Sequence, residues 1–167
     1  MKRVWISRRD LTTLVRLAEE KEPRETGGLL VGYFSADDKD VVITGITGPG
    51  PKAKHGRYSF CPDYNADRVE MTRIFEESNG LAWYLGDWHT HPTGPAYLSL
   101  LDRKALKNIA KFDGNHVKRP IMLILGRGGS GRFLWLPQVW RIHRLPGKII
   151  GRTWRFEEPE ITIFDSA

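Results

Sequence analysis

GDWHTHPTGPAYLSLLDRKAL, residues 86–106, decides how this chain is read. The apolar run LAWYL (81–85) leads straight into it, so a buried strand emerges from the core and ends on two histidines, His89 and His91. Strand side chains alternate between faces, so residues two apart share a face and two imidazoles stand side by side. Pro92, Gly94 and Pro95 then break the strand. A helix is expected from about Ser99 to Phe112, with Leu101, Ala105, Ile109 and Phe112 on its inward face. Asp102 falls in its first turn, and the proline- and glycine-containing loop can fold that turn back against the strand end. Two histidines and one carboxylate leave the fourth position of a tetrahedral zinc ion open to water, which is the arrangement of a catalytic rather than a structural site. Each piece also has a plain reading. Paired histidines at a strand end are common, and Ser99-x-x-Asp102 has the form of a helix-capping box whose acid suits the helix dipole. Glu25, just ahead of the apolar run LLVGYF, would ordinarily be a solvated loop residue.

Working outward, residues 10–20 follow helical spacing through Leu11, Leu14, Val15 and Ala18, and Pro23 ends that helix. GGLLVGYF (27–34) and VVITGIT (41–47) read as strands joined by the turn DDKD. GPGPKAKHG (48–56) reads as a loop with nothing to bury. A second helix is expected over about 63–78 with Met71, Ile74 and Phe75 inward. IMLILG (121–126) and RFLWLPQVW (132–140) read as strands, the latter interrupted by Pro137, and EITIF (160–164) as a short edge strand. Helices alternating with strands, several of them apolar on both faces, make an α/β protein with helices on both sides of a sheet.

The 167 residues fit one domain, 1–167, and 40% hydrophobic residues with six tryptophans supply a core. A net charge of +6 favours acidic partners without choosing among them. Basic residues are dense from Arg127 to Arg155 (with Arg132, Arg141, Arg144, Lys148 and Arg152 between), interleaved with Trp135, Trp140 and Trp154. Such a mixture can grip a nucleic-acid strand. Strand alternation favours instead arginines on a wet face and tryptophans on a dry one, so nucleic acid is not the favoured partner. One cysteine, Cys61, excludes an intrachain disulfide and a cysteine zinc cluster, and fits a reducing cytoplasm. Cys61 itself reads as a small buried residue. The N-terminus lacks the apolar segment of a signal peptide, and no apolar run approaches the roughly 20 residues that span a bilayer, so no membrane partner is expected.

Taken together, Glu25, His89-x-His91-Pro92, six intervening residues and Ser99-x-x-Asp102 resemble the signature of the JAB/MPN (JAMM) zinc metallopeptidases. The glutamate-bearing segment ETGGLLVG (25–32) is similar to that family's first site strand, and the resemblance covers roughly residues 5–126. It implies a three-layer α/β/α, cytidine deaminase-like fold around a central mixed sheet. It further implies one zinc ion per chain on His89, His91 and Asp102, with Glu25 as general base and Ser99 as oxyanion donor. GDWHTHPTGP and SFCPDYNADRV (59–69) resemble short bacterial JAB proteases found beside E1/E2-like enzymes in CBASS-type antiphage operons, or in related bacterial ubiquitin-like pathways. The implied substrate is a ubiquitin-like or E1/E2-conjugated protein, its extended C-terminal tail paired with a sheet edge. Where the family often places proline before the serine, this chain has Leu98, which bears on loop rigidity. A non-catalytic MPN-type scaffold is the alternative that complete ligand positions argue against, and a DNA-associated JAB-like protein is another. Trp88 is expected in the core and Asp87 at the surface. His55, His116 and His143 are expected to be ordinary surface or loop residues.

Overall fold

The computed structural model describes residues 2–112, 114, 117, 119–128, 134–145 and 153–165. Among them the elements run β1 (Arg3–Ser7), α1 (Arg8–Lys21), β2 (Gly27–Phe34), β3 (Val41–Ile46), β4 (Lys54–His55), β5 (Phe60–Cys61), α2 (Tyr64–Glu77) and β6 (Trp83–His91). They continue through α3 (Leu100–Lys111), β7 (Ile121–Arg127), β8 (Trp135–Arg144), β9 (Trp154–Glu157) and β10 (Glu160–Phe164). Eight strands form one sheet in the order β10-β1-β3-β2-β6-β7-β8-β9, while β4 and β5 make a separate hairpin. The sheet is mixed: β1 runs parallel to β10 and β3, β6 runs parallel to β7, and the remaining neighbours are antiparallel.

Burial sorts the helices onto two sides. Ser7 caps α1 by accepting from the Asp10 N–H at 2.9 Å, and the helix buries Leu14 and Ala18 against Val4, Ile6, Val41, Ile43 and Leu123. On the other side Leu106 of α3 packs with Met122, Ile124 and Ile142, and α2 lies over β6 and β2. β7 is buried from Ile121 to Gly126, the unalternating apolar pattern of a strand covered on both faces. The expected α/β/α layering is therefore the observed fold. Truncating one of these fully buried leucines to alanine would cost about 2–5 kcal/mol, because the cavity adds to the lost transfer energy.

Several expectations need correction. The predicted inner face of α3 does not enter the core: Leu101 is 74% and Phe112 65% exposed, Ala105 is exposed, and Leu106 is the buried residue. In α2, Met71 and Ile74 are only half-buried and Phe75 is 36% exposed, whereas Asp67 is buried. Both helices thus turn apolar side chains toward a groove between them. The loop 48–56 contains β4, which pairs with β5. Pro137 lies within β8 opposite Leu125. Among the described residues β9 pairs with 141–144 only, so β8 has no second neighbour at Pro137 there, a position at which a strand tolerates proline.

Arg141 is not on a wet face. Its side chain is buried and donates to the Asp38 carboxylate at 2.7 Å and to the carbonyls of Asp38 and Lys39, where Asp38 has φ 54° in the β2–β3 turn. Arg127 stacks over Trp135 at 4.1 Å and pairs with Glu22. Trp135 is buried, and Trp140 and Trp154 are half-buried. Cys61 is exposed rather than buried. His143 is half-buried near Glu157. His116, Arg132, Lys148 and Arg152, and residues 132–133 of the predicted strand, lie outside the described residues. No helix among the described residues is long and apolar enough to cross a membrane.

Candidate metal centre and active-site cleft

The site is assembled on the β2–β6 ladder, where Gly27 pairs with His89 and Gly28 with Trp88. Two buried threonines lock its open end: the Thr26 N–H donates to the Thr90 hydroxyl and the Thr90 N–H to the Thr26 carbonyl, both at 2.9 Å. Glycine is required at 27 and 28. A Cβ would stand 2.4 Å from the Trp88 carbonyl in one case and 2.3 Å from the Thr47 carbonyl in the other. Trp88 is core, as expected, and its indole N–H donates to the Thr47 carbonyl at 3.0 Å.

Asp87, His89 and His91 share one face of β6. The two imidazoles approach to 3.1 Å between their Nε2 atoms. The Asp102 carboxylate reaches His89 Nε2 at 3.1 Å and His91 Nε2 at 3.5 Å. His91 Nδ1 lies 3.2 Å from the Pro95 carbonyl; an N–H there fixes the tautomer and turns Nε2 toward the cluster. Pro95 is held in turn by close packing. The Arg127 N–H donates to the Gly94 carbonyl at 2.7 Å, and a Cβ on Gly126 would sit 2.1 Å from the Ala96 nitrogen. Leu98 is buried in the α3-side core, so burial anchors the loop where the family often uses proline.

Asp102 acts as a helix cap as well. Ser99 caps α3 by accepting from the Asp102 N–H at 3.1 Å, and Asp102 accepts from the Ser99 N–H at 2.9 Å. The two readings of this acid are compatible because its two oxygens serve both the helix end and the imidazoles. Burial acts to raise the Asp102 carboxyl, but hydrogen bonds with His89, His91 and Ser99 and the charge of His89 outweigh it and hold it well below the usual carboxylate range. For His91, burial disfavours the charged ring, and the Asp102 and Pro95 contacts with the charges of Asp102 and Glu25 reverse the balance upward.

Glu25 and Ser99 border the same cleft as the three clustered residues, a cavity of about 320 Å³. Glu25 is half-buried, and burial raises its carboxyl against the pull of His89 and His91. Its backbone is clamped on both sides: the Glu25 N–H donates to the Gly56 carbonyl at 2.7 Å, and His55 Nδ1 meets the Glu25 carbonyl at 3.0 Å. His55 is therefore not an idle loop residue; it tethers the β4–β5 hairpin to the segment that carries Glu25. Asp87 is not a surface residue either. It is half-buried, accepts from the Tyr84 hydroxyl at 2.7 Å and borders the cleft floor. Strand alternation already places residue 87 on the face of 89 and 91. No comparable local signal marks His55.

His89, His91 and Asp102 are the group among the described residues whose donor atoms converge, all within 4.8 Å of one another. Two ligands at 2.0–2.1 Å from one tetrahedral ion stand about 3.3 Å apart, close to the contacts seen, and the N,N,O donor set suits zinc. These residues fit a metal ion.

A family profile described as prokaryotic homologs of the JAB domain matches residues 7–142. A protein of Sinorhizobium fredii (strain NBRC 101917 / NGR234) named probable metalloprotease y4qB is 33% identical over 96% of this chain and 93% of its own length. Two proteins named CD-NTase/cGAS isopeptidase are also similar. That of Enterobacter hormaechei subsp. hoffmannii (strain UCI 50) is 30% identical over 65% of this chain and 59% of its own. That of Escherichia coli (strain TW11681) is 34% identical over 62% of each chain. The solution structure of protein DSY2949 from Desulfitobacterium hafniense superposes with TM-score 0.68 over 98% of this chain and 94% of that one, at 18% identity. The chain belongs to the prokaryotic JAB-domain family.

Proposed function

We propose that this chain is a zinc-dependent isopeptidase or peptidase that releases a conjugated protein from its target by hydrolysis at the conjugated C-terminus. The observation that carries the reading is the convergence of His89, His91 and Asp102 in one cleft with Glu25 and Ser99. The names of the relatives, a metalloprotease and two isopeptidases, support the reaction class. The isopeptidase names support a substrate bearing a protein conjugate, and the place we propose for the reaction is CBASS-type antiphage signalling in the cytoplasm. The stretch 1–167 works as a single domain with one ion.

His89, His91 and Asp102 would hold the ion. When bound, zinc supplies Lewis acidity to water and to the carbonyl under attack. Glu25, its carboxyl raised by burial, accepts the proton of the attacking water and returns it to the leaving amine. The Ser99 hydroxyl accepts from the Asp102 N–H, so its own hydrogen is left to donate to the oxyanion of the tetrahedral intermediate. Tyr58 and Phe60 wall the cleft beside Glu25, and the hairpin strand β5 is the edge beside which an extended tail pairs.

The test compares the wild-type chain with Glu25→Gln and Asp102→Asn. Metal content by mass spectrometry should be one zinc per chain in the wild type and in Glu25→Gln, and strongly reduced in Asp102→Asn. Cleavage of ubiquitin-like fusions should be lost in both variants and with chelator. Full activity in Glu25→Gln, or undiminished zinc in Asp102→Asn, refutes the assignment.

A further inference from the structure

Glu25 lies on the short link between α1, which ends at Lys21, and β2, which begins at Gly27. It stands ahead of the β2–β6 ladder, so its direction depends on what its own peptide groups hold. The next residue, Thr26, turns its N–H and carbonyl to Thr90 of β6. Glu25 turns both of its own to the β4–β5 hairpin. Its N–H donates to the Gly56 carbonyl at 2.7 Å. The Gly56 N–H is committed to the Ser59 carbonyl at 2.8 Å, in the hairpin's own turn. The donor to the Glu25 carbonyl is instead the His55 side chain, whose Nδ1 lies 3.0 Å away. A carbonyl only accepts, so Nδ1 carries the hydrogen. The imidazole thus completes a two-bond exchange that paired strands ordinarily make with backbone alone.

The ring is braced for this contact. His55 is half-buried, pairs with Phe60 across the hairpin, and sets its ring 5.5 Å from the Phe60 ring. Phe60 in turn covers the bare backbone of Gly27, where a Cβ would meet the ring at 2.8 Å. Glu25, Tyr58 and Phe60 line the metal-site cleft, and His55 does not. Its route to the chemistry therefore runs through Glu25. Holding the peptide groups on both sides of a residue fixes the direction of its Cα–Cβ bond. That direction matters because misplacing a reacting group by about 1 Å can cost about a hundredfold in rate.

We infer that His55 is a positioning residue: its imidazole fixes the Glu25 backbone and so aims the Glu25 carboxyl into the cleft that holds His89, His91 and Asp102. The inference rests on the peptidase reading for what Glu25 does, and its test therefore carries one readout without turnover. Two variants of the full chain separate the donor from the ring. His55→Phe keeps a flat ring against Phe60 and removes the donor. His55→Asn gives up the ring and places an amide N–H where Nδ1 stands. Amide hydrogen exchange followed by NMR reads the clamp directly. The Glu25 N–H should exchange about tenfold faster in His55→Phe and return to within threefold of wild type in His55→Asn, while Thr26 keeps its protection in both. Kinetics on a ubiquitin-like fusion read the consequence. In His55→Phe, kcat should fall about tenfold or more with KM within twofold and zinc content unchanged, and His55→Asn should recover most of kcat. A hairpin anchor alone would show mainly in KM, because Tyr58 and Phe60 wall the cleft. A raised KM with kcat intact therefore overturns the inference. So does a kcat that falls in step with zinc content, or one that falls while Glu25 exchange stays as in wild type. A wild-type chain that cleaves nothing refutes the peptidase reading by itself. Exchange then still decides the clamp: faster Glu25 exchange in His55→Phe upholds it, and unchanged exchange overturns it.

Discussion

Ser99→Ala separates two roles that one side chain combines. In the structure Ser99 accepts the Asp102 N–H at 3.1 Å as the cap of α3, and it borders the cleft that holds the metal-site cluster. Losing a serine cap costs about 1 kcal/mol of stability. The half of the capping box made by the Ser99 N–H on the Asp102 carboxylate survives, because it uses the backbone. The fold should therefore persist, with a urea midpoint lowered by an amount matching about 1 kcal/mol and an unchanged slope. Loss of an oxyanion donor is a different magnitude, about 2.7–4 kcal/mol in the barrier, or roughly a hundred- to thousandfold in turnover. Ser99→Thr keeps the hydroxyl and should recover much of both. Single-turnover cleavage of a ubiquitin-like fusion, run beside equilibrium unfolding and a zinc assay, reads the two effects independently. Turnover within twofold of wild type, alongside the expected loss of stability, would show Ser99 to be a cap alone and refute its part in the chemistry.

Two further outcomes follow from the packing and the charges. Asp67 is 6% exposed and its carboxyl is raised from 3.8 to about 6, so between those pH values the folded chain holds a proton that the unfolded chain has lost. Stability on its account is complete below about pH 4 and falls as pH rises through 6, by up to about 3 kcal/mol. Asp67→Asn should thus raise the unfolding free energy at pH 8 and leave it nearly unchanged at pH 4, and equal effects at both would show the carboxyl is not strained. Gly126→Ala places a methyl 2.1 Å from the Ala96 nitrogen and forces the 94–96 loop to shift. Overpacking of this kind costs about 1–3 kcal/mol. Because the same loop supplies the Pro95 carbonyl to His91, zinc affinity measured by chelator competition should drop as well; unaltered affinity would mean the loop does not orient that ring.

The fold was legible where short apolar runs end on strong breakers. GGLLVGYF coincides with β2 because glycine and the turn at 35–40 bound it. The α3 boundary follows from Ser99-x-x-Asp102. Side-chain orientation on the helices was less legible, since helical periodicity cannot distinguish a face turned to the core from one turned to a groove. Leu101, Ala105 and Phe112 keep the spacing of a buried stripe and are exposed. Long-range polar partners were not legible at all. Arg141 meets Asp38 across 103 residues, and His55 meets the Glu25 carbonyl across 30. The convergence of His89, His91 and Asp102 was legible because a strand end, a short loop and a helix cap leave little freedom between them. Asp87 was misplaced although the same alternation that pairs the histidines includes it.

Gly27 and His89 face each other on adjacent strands, and the two threonines beside them exchange hydrogen bonds in both directions. Glutamate and histidines therefore ride on a single rigid rail to which the β4–β5 hairpin is fastened through the Glu25 backbone, while the apolar walls beside the cleft belong to α2 and the later turns of α3. Redesign of what this protein accepts is best confined to α2 and the later turns of α3, since the first turn of α3 carries Asp102 and the hairpin holds Glu25.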